Sequence, residues 1–181
     1  FERNPIALPA TRLMVQARQI ATFSRASLAG WHSGSETVLA ACLANVERLP
    51  KALNYGMYIG HSALRMYAMG ERGLHEKASE DDLRAMAHAV TQAIHVGALG
   101  FSTSRATTHI RPDGGPVASR IADWEEIDRL VGAMAELDSG IFQIGPDISG
   151  GEAQRIFLER LRKVALDRGR PIMFGTLATR Q

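Results

Sequence analysis

The sequence predicts an α/β chain built on a parallel sheet, and three observations carry that expectation. From about residue 52 onward, short apolar runs alternate with longer segments whose apolar residues recur every three or four positions. Each longer segment opens near a residue able to cap a helix or directly after a strand, and closes at or near a glycine. The resulting order is strand, helix, strand, helix, strand, helix, strand, as in parallel strands joined by right-handed crossovers.

The first strand is expected over Ala52 to Ile59, ending at Gly60. It runs into His61-Ser62-Ala63-Leu64-Arg65-Met66, a short helix that Gly70 stops. Ser79 and Asp82 then form a capping-box pattern. Leu83, Met86, Ala87, Val90 and Ile94 follow as one apolar stripe. Gly97 closes that helix, and Leu99 to Thr103 reads as a short buried strand. Asp123 opens the next helix with Glu126 in the capping-box position, and Trp124, Ile127, Leu130, Val131, Met134 and Leu137 make its buried stripe. Ser139-Gly140 ends it, and Ile141 to Ile144 is the next strand. A helix from near Ser149 to Gly169 is expected to bury Ile156, Phe157, Leu161 and Val164, and Pro171 to Leu177 supplies the last strand. This pattern alone leaves two architectures open, a doubly wound sheet and a segment of a closed barrel.

Residues 1–50 differ from residues 51–181. Leu13 to Phe23 and Glu36 to Leu49 look helical, and Pro5, Pro9 and Pro50 punctuate them. They are read as a helical N-terminal segment ahead of the βα units.

Composition narrows the class. Hydrophobic residues make up 45% and charged residues 22% of 181, the balance of a globular chain rather than a disordered one. Charge or glycine breaks the apolar stretches well short of a membrane span, and no signal segment is read at the start, so neither membrane insertion nor export is expected. The net charge is +2, from 21 basic and 19 acidic residues mixed along the chain, and no basic stripe predicts nucleic-acid binding. Cys42 is the single cysteine, which excludes an internal disulfide and a cysteine-rich zinc site and points to a reducing, cytoplasmic setting. Walker, dinucleotide-glycine, nucleophile-elbow and His-Glu-x-x-His motifs are absent from the sequence.

The stretch Gly60-His61-Ser62-Ala63-Leu64-Arg65 with Met69-Gly70-Glu71-Arg72, and the stretch Gly97-Ala98-Leu99-Gly100-Phe101-Ser102-Thr103-Ser104-Arg105, resemble the D-aminoacylase-like amidohydrolases. His109, Asp113-Gly114, Pro116-Val117 and Ser119-Arg120 continue the likeness, which covers roughly residues 55 to 181. The resemblance implies part of a metal-dependent (β/α)8 TIM-type barrel that hydrolyses the amide bond of N-acyl-D-amino acids. In such enzymes a zinc-bound water attacks the acyl carbon and an aspartate shuttles the proton. Family chains are several times longer than the matched segment, so their His-x-His pair, metal-binding Cys and late Asp are expected outside this chain. Where the family carries His-x-Arg after a strand, this sequence has Gly145, and Ile172 to Leu177 also lacks the expected histidine. Zinc is therefore expected for the family, with no ligands for it identified in this chain.

In such barrels chemistry sits at the C-terminal ends of the strands. His61 and Asp147 are the candidate catalytic residues. His61 is expected either to face the active-site mouth or to fix the turn by bonding backbone. Asp147 is a proton carrier, a metal ligand or the cap of the helix near Ser149. Ser102, Ser104, Arg105 and His109 are the candidate substrate-binding residues. Arg105 has the fork geometry that pairs with a carboxylate, and His109 rides a loop, 106–121, long enough to act as a lid. Besides the hydrolase reading, two others stand: a binding or regulatory module with a lost metal site, and a truncated product that self-associates through open sheet edges.

Overall fold

A computed structural model of the chain describes residues 56–146 and 151–174, together with Ala44 and Arg48. Strand β1 (Tyr58–Gly60) passes without a loop into helix α1 (His61–Met69). Gly70, at φ 58°, turns the chain there into a 3-10 segment, Gly70–Leu74. Helix α2 (Glu80–His95) follows, then β2 (Gly100–Ser104), α3 (Trp124–Glu136), β3 (Ile141–Gly145), α4 (Gly151–Arg168) and β4 (Ile172–Phe174).

The expected alternation is present. Ser79 and Asp82 close a full capping box, with the Ser79 hydroxyl accepting from the Asp82 amide and the Asp82 carboxylate accepting from the Ser79 amide. Asp123 likewise accepts from the Glu126 amide at 2.9 Å. The strands differ at their edges from the expectation. β1 starts at Tyr58, with 52–55 outside the described residues, and β2 starts at Gly100, leaving Leu99 44% exposed. In α4, Phe157, Leu161 and Val164 are buried as expected, but Ile156 is 41% exposed. Phe157, Leu161 and Val164 already form a stripe at steps of four and three, and Ile156 falls one position, about 100° of helix, outside it.

The sheet order is β1-β2-β3-β4, every neighbour parallel. A doubly wound sheet reverses its strand order at a switch point, and the described strands contain no reversal. Because each crossover has the same hand and the same direction, the helices accumulate on one face. Burial agrees. Ile59, Phe101, Phe142 and Ile144 join Leu64 of α1, Met86 and Val90 of α2, Ile127, Leu130 and Met134 of α3, and Leu161 of α4 in one core. Phe101 and Phe142 stack at 5.8 Å within it. The alternate strand residues Tyr58, Gly60, Ser102, Ile141 and Gln143 are only half-buried. Two glycines permit the tight joins: a Cβ at Gly100 would lie 1.9 Å from the Ile141 carbonyl oxygen, and one at Gly73 would lie 3.0 Å from that of Arg65.

No helix among the described residues is long and apolar enough to cross a membrane.

Candidate functional site

Two groups of polar residues lie around β2. The first is buried in the helix layer. His61 opens α1, and Arg65 lies four residues on, so both project from one helix face. That face meets the first turn of α3, where Glu126 points inward. His61 Nε2 lies 2.6 Å from one Glu126 oxygen, and the Arg65 guanidinium donates to the other. His61 Nδ1 lies 2.8 Å from the Thr103 hydroxyl on β2, and its ring stands edge-on to Phe101 at 5.1 Å. Arg65 also donates to the carbonyls of Gly73, at 3.1 Å, and Glu76. The His61 and Arg65 side chains are 0% exposed and that of Glu126 is 4%.

The protonation of this group follows from its partners. Burial is the largest influence on His61 and lowers its pKa, outweighing the opposing pull of Glu126, so the ring is neutral at pH 7. Burial by itself would raise the Glu126 carboxyl. Its hydrogen bonds and charge contacts with His61 and Arg65 together reverse that and hold it below the ordinary carboxylate range. An ionised carboxylate only accepts, so Nε2 carries the imidazole hydrogen and Nδ1 accepts from the Thr103 hydroxyl. One buried cation thus faces one buried anion, with a neutral imidazole orienting the anion from the side. The arrangement clamps the β1–α1 junction to α3 and to the turn after α1.

Of this group, His61 was the expected site residue and Glu126 an expected helix cap, while Arg65 and Thr103 had no expected role. His61 finds side-chain rather than backbone partners, and it is 1% exposed in the helix layer. Glu126 was expected to reach back and complete a capping box. Asp123 does cap α3, but the Glu126 side chain turns to His61 and Arg65 instead, because a buried guanidinium offers it a stronger, charged partner than the neutral Asp123 amide.

The second group lies at the C-terminal ends of the strands. Ser102 is paired in register with Gly60 on one side and Gln143 on the other, and it alternates with Thr103, so it faces away from His61. Ser104 is buried. Its hydroxyl accepts from the Ala106 amide at 3.2 Å, and its carbonyl accepts from the Ser119 hydroxyl at 3.3 Å. The Arg105 amide donates to the Gly145 carbonyl at 2.8 Å, and its guanidinium donates to the carbonyls of Ala122, at 2.5 Å, and Arg120, at 3.4 Å. His109 is exposed, its carbonyl taken by Arg120 at 3.3 Å. The loop 106–121 is stitched rather than loose: Ile110 bridges Pro116, and the Ser119 amide donates to the Ser62 hydroxyl at 3.0 Å. Asp147 lies outside the described residues. The structure therefore places Ser104 and Arg105 at the root of the loop, sets Ser102 beside Gln143, and puts His61 on the face opposite Ser102, within reach of the Arg105 charge, which helps to lower the His61 pKa.

A zinc ion does not fit the described side chains. Among the described residues no three His, Cys, Asp or Glu side chains gather where a metal could be held. A Cβ at Gly145, where the resemblance led to the expectation of a histidine, would lie 2.9 Å from the Ser104 hydroxyl oxygen. An imidazole at that position would displace a hydroxyl already committed to the Ala106 amide. Compared with family models, curated proteins and solved structures, the chain finds no match.

Proposed function

We propose that the chain is one side of a (β/α)8 barrel of the amidohydrolase kind, from an enzyme that hydrolyses the C–N bond of N-acyl-D-amino-acid-like substrates. The observation that carries the proposal is the sequential parallel order β1-β2-β3-β4, with the core packed on one face and Gly60, Ser102 and Gln143 only half-buried on the other. In a closed barrel that second face is the interior, and its C-terminal end is where substrates bind. The stretches around His61 and Ser102, which resemble D-aminoacylase-like enzymes, supply the reaction class. In this reading the His61–Glu126–Arg65 group is scaffold, Arg105 anchors the loop root, and Asp147 is the candidate proton carrier. No step is routed through a metal, because the described side chains do not fit one.

The test is release of free amino acid from N-acetyl-D-amino acids by the intact polypeptide, with and without a chelator and with added divalent metals. Stereospecific release supports the proposal, and no hydrolysis under any metal sinks it. The crowding of Gly145 against Ser104 favours one second reading, a barrel that binds such ligands without hydrolysing them. Binding without turnover in the same assay selects it.

A further inference from the structure

We infer that His61 is a proton-operated latch on the loop 106–121: its neutral ring holds the loop down, and charging the ring lets the loop go. The contacts that argue for this lie wholly among the described residues, and none depends on the hydrolase reading.

Both roots of the loop run back to the three elements that the ring joins. His61 opens α1, meets β2 through the Thr103 hydroxyl at 2.8 Å, and meets α3 through Glu126 at 2.6 Å. The loop leaves β2 just past Thr103, where the Ser104 hydroxyl accepts from the Ala106 amide at 3.2 Å. It returns over α1, where the hydroxyl of Ser62, the residue after His61, accepts from the Ser119 amide at 3.0 Å. It then enters α3 through Ala122 and the Asp123 cap, and the Ala122 carbonyl accepts from the Arg105 guanidinium at 2.5 Å. Ala118, Ser119 and Ala122 are buried, so this root is packed as well as bonded.

The ring can make its contacts in one protonation state only. Glu126 is ionised and can only accept, so Nε2 donates to it and Nδ1 accepts from Thr103. A proton added at Nδ1 sets two hydrogens between the ring and that hydroxyl, and Thr103 loses its acceptor. The new charge also lacks an anion of its own. Glu126, facing the ring from α3, is already shared with the Arg65 guanidinium of α1, and the Arg105 guanidinium beyond β2 adds a further positive charge. Burial first, then these two cations, already hold the ring's pKa below its ordinary value against the pull of Glu126. A buried charge without a partner is costly, and the ring escapes it only by parting α1 from β2 or from α3. Either movement strains the Ser62–Ser119 and Arg105–Ala122 ties. The loop yields before the helices do, because single hydrogen bonds hold it while the helices pack through the core. Where the barrel reading holds, the loop borders the substrate end, and its release opens that end in acid.

Amide hydrogen exchange of the intact protein, followed by NMR from pH 8 to 5 and expressed as protection relative to the free chain, tests the latch. Opening takes up one proton, so protection at Ala106 and Ser119 should be level above pH 6.5, the ordinary histidine value. Below that it should fall by up to about tenfold per pH unit. The Ser139 amide, bonded to the Met134 carbonyl at the far end of α3, should keep its protection. His61→Gln presents one donor to Glu126 and one acceptor to Thr103 and takes up no proton in this range, so its loop should stay protected throughout. Level protection at Ala106 and Ser119 in the native protein overturns the inference, as does a fall shared equally by Ser139. A fall that persists in His61→Gln overturns it too. The first two outcomes are read on the unaltered protein, so a variant that fails to fold does not shield the inference from them. Exchange is indifferent to turnover, so loss of the latch and loss of the hydrolase reading are told apart.

Discussion

Replacing Glu126 by Gln tests the buried clamp most sharply. The change keeps the shape of the side chain but removes its charge and converts one oxygen into a donor. Two donors, the His61 Nε2–H and the Arg65 guanidinium, then compete for one acceptor. The Arg65 side chain, 0% exposed, is left without its anion. Removing one partner of a buried ion pair costs about 3–5 kcal/mol, because the survivor keeps its desolvation penalty. The lower end applies here, since the carbonyls of Gly73 and Glu76 still accept from Arg65. A loss of about 3 kcal/mol lowers the melting temperature of a domain this size by about 6–12 °C. Urea unfolding at pH 7, read by circular dichroism, measures it. An E126Q protein within about 0.5 kcal/mol of the parent would refute the reasoning, because a buried cation cannot lose its anion for so little. The double variant Arg65→Met with Glu126→Leu should recover part of the loss, though not the carbonyl contacts of Arg65.

Four further perturbations probe the same structure. Folding lowers the pKa of both His61, from its ordinary 6.5, and Glu126, from 4.5. The unfolded chain therefore takes up protons first, so stability is full above pH 6.5 and falls below it, by at most about 1.4 kcal/mol per pH unit from His61 alone. Urea midpoints from pH 8 to 4 should show this, and a midpoint that rises between pH 6.5 and 5 would reverse the sign. Ser79→Ala removes the cap of α2 and should cost about 1 kcal/mol, with faster amide exchange in the first turn of that helix. Gly100→Ala drives a Cβ into the Ile141 carbonyl and should cost about 3 kcal/mol or more, seen as lost soluble yield. Gly60→Ala, where a Cβ meets nothing within 4 Å, should stay within about 1 kcal/mol of the parent.

Much of the fold was legible because its signals are local. The Ser79 and Asp123 caps, the stripes through Met86–Val90 and Ile127–Met134, and the closing glycines each act within a turn or two of where they are written. Strand edges were less legible, since pairing decides them: Leu99 belongs to β2 by composition but lies before the first residue paired with β3. The buried clamp was only partly legible. The spacing of His61 and Arg65 was a usable signal of a shared helix face. Nothing near Glu126 reveals that His61, 65 residues away, will lie against it. Arginine and glutamate also default to the surface, so their burial emerges only from tertiary packing. The pairing of Ser102 with Gln143 was hidden for the same reason, as register between strands is set by the folded sheet.

Hydrogen exchange by NMR on the intact polypeptide tests the barrel directly. Among the described residues β1 and β4 each have one strand neighbour, which leaves half their backbone groups to be satisfied from the other side. If the sheet closes into a barrel, the amides of Tyr58–Gly60 and Ile172–Phe174 exchange as slowly as those of Gly100–Ser104 and Ile141–Gly145. Fast exchange confined to β1 and β4 would mark them as open edges and contradict the account.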